Sequence, residues 1–379
     1  MLHRSMRFCE LATMIPKLDR SKPCEKVSMS PTPPIRRPVT LADVAQGCGV
    51  SRATVSLVLR GSPLVGKATR ALVEAELAKQ GYVYNRAAAN LRRRTSSSIA
   101  LVIHDLGNPF FAEFAAGVDE ALGETGFVTL LGCSNESTAR ECQVLGSLVE
   151  HGPAGIILSP AEGSDTQQVL SAIGGQTPLL LFNRDLEGAA PEYAHWDRLS
   201  MDNQRGARLA TEHLLGLGHR RIAFLGGLHY ATPFRQRRQG YLDAMHAAGL
   251  SPQPEWLVES APTRQEGARR ASALLQADPQ LTAAVCYNDA VALGFMLGLY
   301  ANGRRPGHDF AVTGFDDIGE ASLSMPPLTT LSTRPRERGR QAAEMILARL
   351  HTPHTPARRI VAPVELQVRE SSCRPLFPA

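Results

Sequence analysis

The sequence predicts an all-α helix-turn-helix unit followed by an α/β core of two doubly wound lobes with parallel sheets. Near the N-terminus, two short helical segments lie on either side of the glycine turn Gly47-Cys48-Gly49, which is the spacing of a helix-turn-helix. From residue 98 onward, near-continuous apolar segments alternate with helical ones. This alternation is typical of parallel strands covered by helices on both faces. It occurs in two sets, which predicts two lobes that bind ligands at the carboxyl ends of their strands.

Each helix of the helix-turn-helix has its own start signal. Thr40 and Asp43 form a capping-box pattern, with aspartate in place of the usual glutamate. Ser51 is placed to cap the second helix, whose apolar residues Val55 and Val58 lie at helical spacing. The second helix of such a unit is shaped to enter the major groove of DNA. An ordinary helical hairpin would show the same two helices, so both interpretations stay open on this segment alone.

Charge is distributed unevenly along the chain. An amphipathic third helix is predicted from about Lys67 to Gln80, ended by Gly81, and a basic stretch follows. Residues 36–98 carry eleven Lys and Arg against three acidic residues, whereas residues 99–379 carry 24 Arg and no Lys against 30 acidic residues. A basic module on an acidic body is typical of a DNA-binding domain attached to a different kind of domain. A solvated basic face would produce the same excess, so charge supports the motif without establishing it.

Predicted strands and helices alternate through the core. The strands are expected at residues 99–103, 127–131, 156–158, 179–182, 222–225, 284–286 and 310–312. The helices are expected at residues 110–124, 138–150, 204–217, 236–248, 264–276 and 289–300.

Composition and motifs exclude several classes of protein. The seven cysteines are an odd number without metal-ligand spacing, which predicts reduced thiols, a cytoplasmic location and no bound metal. No apolar run reaches the ~18 residues of a membrane span. HExxH, GxSxG and P-loop motifs are absent, and the Gly226-Gly227 pair is too weak a signal for a nucleotide site. We therefore expect neither an enzyme nor a cofactor.

The first 38 residues are rich in proline and basic residues and lack periodicity. This composition predicts a disordered extension. Arg4, Arg7 and Glu10 interrupt the only apolar stretch that could form a signal-peptide core. Met29 would be a natural start, which leaves open whether residues 1–28 are translated.

From about Val39 to Ser371, the order of parts closely resembles the lactose-repressor/galactose-repressor (LacI/GalR) family of bacterial transcription regulators. The motifs that carry the resemblance, beyond the helix-turn-helix, are Asn108-Pro109-Phe110-Phe111, Glu212-His213-Leu214 with Gly218-His219-Arg220, Gly314-Phe315-Asp316-Asp317 and Pro326-Pro327-Leu328-Thr329-Thr330. The resemblance implies a headpiece, a hinge helix and a periplasmic-binding-protein-like core. The domains expected are a disordered extension (1–38), a DNA-binding headpiece (39–84), a hinge (85–97), an effector-binding and dimerisation core (98–371) and a tail (372–379).

The resemblance also implies which headpiece and hinge residues meet DNA. Arg52 is the candidate for direct readout, because arginine is the side chain best suited to guanine O6 and N7. Ala53 and Leu57 depart from the polar readers common in the family, and Leu57 either contacts a thymine methyl or packs against the loop. Leu91 stands where the family wedges a leucine into the minor groove, although leucine more often belongs to a core. The predicted DNA-binding residues are Thr40, Leu41, Ser51, Arg52, Ala53, Thr54, Ser56, Leu57, Tyr82, Asn85, Ala88, Leu91 and Arg92.

In the core, the resemblance implies an effector cleft between the lobes. An arginine, an amide and a carboxylate converging there would suit vicinal hydroxyl groups, each of which donates and accepts. Two plain alternatives remain, in which Arg237 pairs with Asp243 and Asp316 caps a helix. The predicted effector-binding residues are Phe110, Phe111, Ser159, Asn183, Arg184, Arg237, Asn288 and Asp316.

The function expected from these features is a repressor that binds a pseudo-palindromic double-stranded DNA operator as a homodimer, under the control of a small effector. The family also implies a sugar as effector, while a purine or another polar ligand remains an alternative. A periplasmic sugar-binding protein shares the core architecture, but it would need a signal peptide and no helix-turn-helix. The C-terminal segment has no leucine heptads, so a dimer is the expected limit. The sign of regulation, the operator sequence and the target genes stay open.

Overall fold

The computed structural model describes residues 37, 39–82, 96–175, 177–188 and 195–372. The chain divides into two compact units, residues 1–86 and residues 87–379. No helix in the described ranges has both the length and the apolar character needed to cross a membrane. The extension up to residue 36, the tail from residue 373 and the hinge residues Asn85, Ala88, Leu91 and Arg92 lie outside the described residues.

The first unit contains three helices, α1 (Leu41–Cys48), α2 (Arg52–Leu59) and α3 (Lys67–Gln80). The predicted capping box is present: the Thr40 hydroxyl oxygen accepts from the backbone N–H of Asp43 (3.3 Å), and the Asp43 carboxylate accepts from the backbone N–H of Thr40 (2.7 Å). Gly49 ends α1 with φ 67°, a conformation that glycine adopts without strain. The buried apolar side chains of this unit are Val44, Ala45, Val55, Val58 and Val73.

The second unit alternates strands and helices. Its helices are α4 (Pro109–Glu124), α5 (Thr138–Glu150), α6 (Thr166–Ile173), α7 (Asn203–Gly216), α8 (Thr232–Ala247), α9 (Arg264–Ala277), α10 (Asp289–Ala301), α11 (Gly319–Leu323) and α12 (Pro335–His351), with a short 3-10 turn at Pro254–Trp256. Its strands are β1 (Ser98–Ile103), β2 (Val128–Cys133), β3 (Gly155–Leu158), β4 (Leu179–Phe182), β5 (Asp197–Met201), β6 (Ile222–Leu225), β7 (Leu257–Val258), β8 (Ala283–Cys286), β9 (Ala311–Thr313), β10 (Thr330–Ser332), β11 (Arg359–Ala362) and β12 (Glu365–Gln367).

Two parallel sheets organise this unit. The first lobe is built on a six-stranded sheet with the order β11-β5-β4-β3-β1-β2, and the second lobe on a four-stranded sheet with the order β7-β6-β8-β9. Neighbouring strands within both sheets are parallel, while β10 and β12 form a separate antiparallel pair. The prediction of a helix-turn-helix unit followed by two parallel-sheet lobes is therefore confirmed.

Helices pack against each other in close pairs, α4 with α12, α7 with α8 and α9 with α10. Glycines permit this approach in all three pairs, as two of the contacts illustrate. A Cβ on Gly117 would lie 2.0 Å from the carbonyl oxygen of Arg336, and a Cβ on Gly240 would lie 2.0 Å from that of Gln204. Any side chain at either position would force the paired helices apart.

A buried ion cluster joins three elements of the first lobe. Asp197 of β5 is 1% exposed. Its carboxylate accepts from the guanidinium of Arg349 on α12 (2.6 Å) and from both the backbone N–H (2.7 Å) and the guanidinium (2.9 Å) of Arg358. Burial alone would raise the pKa of Asp197, but the hydrogen bonds from the two arginines outweigh it and lower that pKa. The carboxylate of Asp197 thus holds both α12 and the residue before β11, Arg358, against β5.

Some boundaries and elements differ from the prediction. Helix α8 begins at Thr232 rather than at Gln236, because Pro233 occupies its first turn, where a missing N–H costs nothing. The sequence does not predict α6, β5, β7, α11 or α12, nor the strands β10, β11 and β12. Several of these segments carry charged or alternating residues, so the continuous apolar signal that marks the other strands is missing from them.

Candidate functional site

The start of α2 presents a polar surface. Ser51, Arg52 and Ala53 are exposed, whereas Thr54 and Leu57 are half-buried. The Ser51 hydroxyl oxygen accepts from the backbone N–H of Thr54 (3.1 Å), so capping engages one of its lone pairs. Arg52 has a long, cationic side chain that is exposed to solvent. A side chain of this kind is suited to contact with DNA bases.

The other predicted DNA-binding residues of the headpiece are partly occupied within it. The Thr40 hydroxyl also donates to the Asp43 carboxylate (2.7 Å). Leu41 and Tyr82 are partly buried against the headpiece core, and Ser56 is half-buried on α2. Leu57 is half-buried as well. This exposure is compatible both with a contact to a thymine methyl and with packing against the loop.

A polar cavity lies where the strands of both lobes end. The empty space there is about 370 Å³, part of it open to solvent. Its wall combines residues that follow β1, β2, β4, β7, β8 and β9 with the first turn of α4 and one residue of α8. Ligand sites are expected at the carboxyl ends of parallel strands. The lining residues are His104, Asp105, Asn108, Phe110, Phe111, Glu136, Asn183, Arg184, Arg237, Pro262, Tyr287, Asn288 and Asp316.

Arg237 and Asp316 form the second-lobe side of the cavity. Arg237 is 3% exposed. Its Nε donates to Oδ1 of Asn203 (2.9 Å), its Nη1 donates to the carbonyl of Tyr287 (2.6 Å), and its guanidinium lies 3.6 Å from the centre of the Phe315 ring. Arg237 Nη2 is 3.7 Å from Oδ1 of Asp316, too far for a hydrogen bond. The guanidinium is thus fixed in place, and the carboxylate beside it is left with hydrogen-bonding capacity.

Asp316 has an unusual environment for a carboxylate. It follows β9 with φ 122° and is 4% exposed. Burial raises the pKa of Asp316 to about 7, although Arg237 acts in the opposite direction. Burial, together with the negative charge of Asp316, also raises the pKa of the neighbouring Asp289 well above its ordinary value. Asp316 therefore takes up a proton more readily than an exposed aspartate, and a donor from a ligand would favour its charged form.

The first-lobe side is built on Arg184. Its Nη1 and Nη2 donate to the two carboxylate oxygens of Glu136 (2.8 and 2.9 Å), and Nη1 also donates to the carbonyl of Pro160 (3.2 Å). His104 lies 3.4 Å from the same carboxylate. Burial, aided by the positive charge of Arg184, lowers the pKa of His104 well below 6.5, so the imidazole is neutral at pH 7.

Seven of the eight predicted effector residues line the cavity, and Ser159 does not. Ser159 is fully buried, and its hydroxyl lies 3.2 Å from Nδ1 of His104, so it supports the wall from behind. Phe110 and Phe111 are 2% and 3% exposed and meet edge to face at 4.8 Å. Their buried faces pack within the core, which leaves little ring surface for stacking on a sugar.

Asn183 and Asn288 differ in their remaining capacity for hydrogen bonds. Asn288 caps α10, with its Oδ1 accepting from the N–H of Val291 (2.9 Å) and its Nδ2 facing the carbonyl of Pro262 (3.4 Å). The Oδ1 of Asn183 is buried and has no hydrogen-bond partner. A buried acceptor without a partner is unfavourable, so Asn183 keeps capacity to accept one further hydrogen bond.

The structure decides against both plain alternatives for this site. Asp243 accepts from Gln204 and Gln239 (both 2.7 Å) rather than from Arg237. The helix nearest to Asp316 along the chain, α11, begins after Ile318 without a side-chain cap. The backbone N–H of Ile318 is instead bonded by the carboxylate of Asp289 (2.9 Å).

Sequence reasoning missed four charged or aromatic wall residues, namely His104, Asp105, Glu136 and Tyr287. A usable signal existed for two of them, because His104 and Asp105 directly follow the first predicted strand. Glu136 follows β2 at a distance of three residues and has φ 59°, which the sequence pattern does not reveal. Within the described ranges, no group of three His, Cys, Asp or Glu residues is arranged to hold a metal ion.

Comparison with known proteins places the two units in one family. Residues 40–85 match the family described as bacterial regulatory proteins, lacI family, and residues 211–372 match the periplasmic binding protein-like domain. The maltose regulon regulatory protein MalI of Escherichia coli (strain K12) is 32% identical over 337 residues, which cover 86% of this chain and 97% of MalI.

Two solved structures extend the similarity. A complex of the transcriptional regulator CelR with cellobiose is 32% identical, with a TM-score of 0.67, and covers 89% of this chain and 100% of that one. The lac repressor dimer bound to operator and the anti-inducer ONPF is 26% identical, with a TM-score of 0.78 and the same coverage. A helix-turn-helix unit followed by a two-lobed core with a polar cleft defines a DNA-binding transcription regulator. The chain belongs to the LacI/GalR family of these regulators.

Proposed function

We propose that this regulator is a cytoplasmic repressor without enzymatic activity, which binds a pseudo-palindromic operator as a homodimer and responds to a sugar in the cleft. The observation that carries the proposal is the convergence of Arg237, Asn183 and Asp316 on one cavity at the strand ends of both lobes. Hydroxyl groups both donate and accept, which suits a wall with such mixed groups. The complexes of CelR with cellobiose and of the lac repressor with operator support the same assignment.

The proposed control follows from the position of the cavity. A ligand held by both lobes favours the arrangement in which the two walls are close, and it shifts the equilibrium by its difference in affinity for the two arrangements. Operator affinity and effector affinity are then reciprocally coupled. The predicted route of this coupling to DNA is the hinge with Leu91, which the resemblance places in the minor groove.

The operator part of the proposal is tested by footprinting and salt titration of the full-length protein. Because basic side chains of the headpiece replace counterions on phosphates, we expect operator affinity to fall steeply and linearly on a log–log plot against salt. DNA selected from random sequences should contain a pseudo-palindrome that the protein protects. If selection enriches no two-fold symmetric site, the proposal of a dimer on an operator is wrong.

Base readout is tested at Arg52. Arg52→Ala should weaken binding to the best selected operator by about 1–3 kcal/mol and relax the preference at one base position of each half-site. Arg60→Ala is the matched control, because Arg60 is an exposed arginine at the opposite end of α2. It should leave base preference unchanged. An equal loss on all sequences for Arg52→Ala would make Arg52 a phosphate contact.

A further inference from the structure

A second cavity lies between the lobes, beside the cavity described above. It encloses about 570 Å³ of empty space, part of it open to solvent. Its first-lobe wall is formed by residues of β4, β5 and β11 and by those that directly follow β4, and its second-lobe wall by Thr232 and Gln236 at the start of α8. Asn183 and Arg184 line both cavities. The second cavity therefore adjoins the proposed effector site, but most of its wall is different.

Two arginines stand side by side on the first-lobe wall of this second cavity. Arg198 of β5 and Arg359 of β11 are direct partners in the parallel pairing of the two strands, and both line the cavity. Two guanidinium groups on the same face of neighbouring strands repel each other. Asp185 is the one acidic residue among the described residues of this wall; it is half-exposed and lies 3.8 Å from Arg198. Arg359 is exposed and has no side-chain hydrogen bond or ion pair to a described residue. The pair of arginines is thus only partly balanced by the protein itself.

The second-lobe wall supplies hydrogen-bond donors. The side-chain carbonyl of Gln236 accepts from Nδ2 of Asn203 (2.9 Å), which leaves the NH₂ group of Gln236 as a donor. The hydroxyl oxygen of Thr232 accepts from the guanidinium of Arg235 (3.2 Å), so its hydrogen can be donated elsewhere. Together with the two arginines, these groups match the acceptor oxygens of an anion.

The N-terminus of α8 adds positive potential on the same side. This helix is 16 residues long, and its N-cap residue, Ala231, provides no side-chain cap. An uncapped helix end of this kind favours an anion. Arg184, on the opposite wall, is 7% exposed, and its Nε has no hydrogen-bond partner. A buried donor without a partner is unfavourable, and an acceptor from a ligand would satisfy it. Oδ1 of Asn183, an unpartnered acceptor, is the exception in this wall.

We propose that the second cavity binds a phosphate group, held by Arg198 and Arg359 from the first lobe and by Thr232 and Gln236 from the second. A phosphate dianion carries the charge that balances two arginines and has enough acceptor oxygens for donors on both walls. Because both lobes contribute, the bound phosphate favours one arrangement of the lobes and acts on the same equilibrium as an effector. The site goes beyond the proposed function, since it is a second place at which a ligand could bias the regulator.

The test is binding to the full-length protein at constant ionic strength, measured by calorimetry and by the shift in melting temperature. The probes are inorganic phosphate and glycerol 3-phosphate, with acetate and glycerol for comparison, at about pH 8, where phosphate is a dianion. We expect at least one of the two phosphates to bind saturably and acetate to bind about tenfold more weakly, because it carries one charge instead of two. Binding of inorganic phosphate alone identifies the free ion as the ligand, and binding of the ester identifies an organic phosphate. Absence of saturable binding by both, or acetate binding as tightly, would overturn the proposal.

Three variants locate the bound phosphate. Arg359→Ala should weaken phosphate binding about tenfold, because it removes a charge-assisted hydrogen bond. Arg140→Ala is the matched control, since Arg140 is an exposed arginine of the same lobe that donates to the Cys133 carbonyl (2.9 Å) and lines neither cavity. Arg52→Ala tests the DNA-binding surface in the same way. Both controls should bind phosphate as the wild type does. A loss in either control as large as that in Arg359→Ala would overturn the assignment to the second cavity.

Melting curves of Arg359→Ala give a second measurement that does not depend on the affinity. Without phosphate, the variant should melt at the temperature of the wild type or above it, because the repulsion between Arg198 and Arg359 is relieved. In saturating phosphate the order should reverse, since a ligand that binds only the folded state stabilises it according to its affinity. A variant that melts below the wild type by the same margin in both conditions would make Arg359 a structural residue and overturn its role in the site.

Discussion

Arg237→Ala is expected to abolish the response to the effector while leaving operator affinity unchanged. The substitution removes hydrogen bonds to Asn203 and to the Tyr287 carbonyl, and it leaves Asp316 buried without its neighbouring cation. The two acceptors lose their donor, and the pKa of Asp316 would rise further. In a repressor that the effector releases, target genes would stay off with or without the effector. In a system where the effector promotes binding, the same genes would stay on.

The measurement is operator binding by the purified variant across an effector titration, beside expression of a reporter gene. Arg238→Ala is the control, since Arg238 is the adjacent arginine on α8 and does not line the cavity. A melting curve establishes that Arg237→Ala is folded. A folded variant that still responds at the wild-type effector concentration would remove Arg237 from the site.

Asp197→Asn is expected to destabilise the first lobe by about 3–5 kcal/mol, the range for breaking a buried ion pair on one side. The amide has nearly the same shape, but it leaves the guanidinium of Arg349, itself 7% exposed, without its counterion. Because the native pKa of Asp197 lies below its ordinary value of 3.8, the contribution of its charge is fully present above about pH 4. It is lost as pH falls through the lower, native pKa.

Urea unfolding of both proteins between pH 3 and pH 7 checks this expectation. The difference in unfolding free energy should be full at pH 7 and should shrink in acid. Asp185→Asn provides the comparison, because Asp185 is a half-exposed carboxylate 3.8 Å from Arg198. Such surface pairs contribute about 0–1 kcal/mol. A loss for Asp197→Asn no larger than that for Asp185→Asn would contradict the role of the buried cluster.

The parts of the fold that the sequence predicts are those with a strong local signal. Strands β1, β3, β4, β6 and β8 are short apolar runs that are buried on both faces, and helix α4 has an asparagine cap followed by proline. Strand β5 instead contains Asp197, Arg198 and Ser200. Its place in the sheet depends on Arg349 and Arg358, more than 150 positions away along the chain. No local window contains that information.

The residues of the cavity also divide into those with a local sequence signal and those without one. Arg237, Asn288 and Asp316 were found through family motifs, and Asn183 through its place at a strand end. Ser159 is also at a strand end, but its hydroxyl faces His104 behind the wall, and only side-chain direction in three dimensions distinguishes the two cases. The pairing of Arg184 with Glu136 joins two loops that are 48 residues apart. The charge balance of the cleft was therefore beyond local reasoning.

The position of β11 in the first sheet has a consequence for synthesis on the ribosome. Strand β5 is complete at residue 201, but its outer neighbour β11 is not made until residue 362. At a synthesis rate of roughly 5–20 residues per second, the edge of β5 stays open for on the order of ten seconds. During that interval Asp197 has neither arginine partner, and its hydrated charge opposes pairing of the edge with other nascent chains. We therefore expect the carboxylate that later anchors the lobe to oppose aggregation of the unfinished chain first.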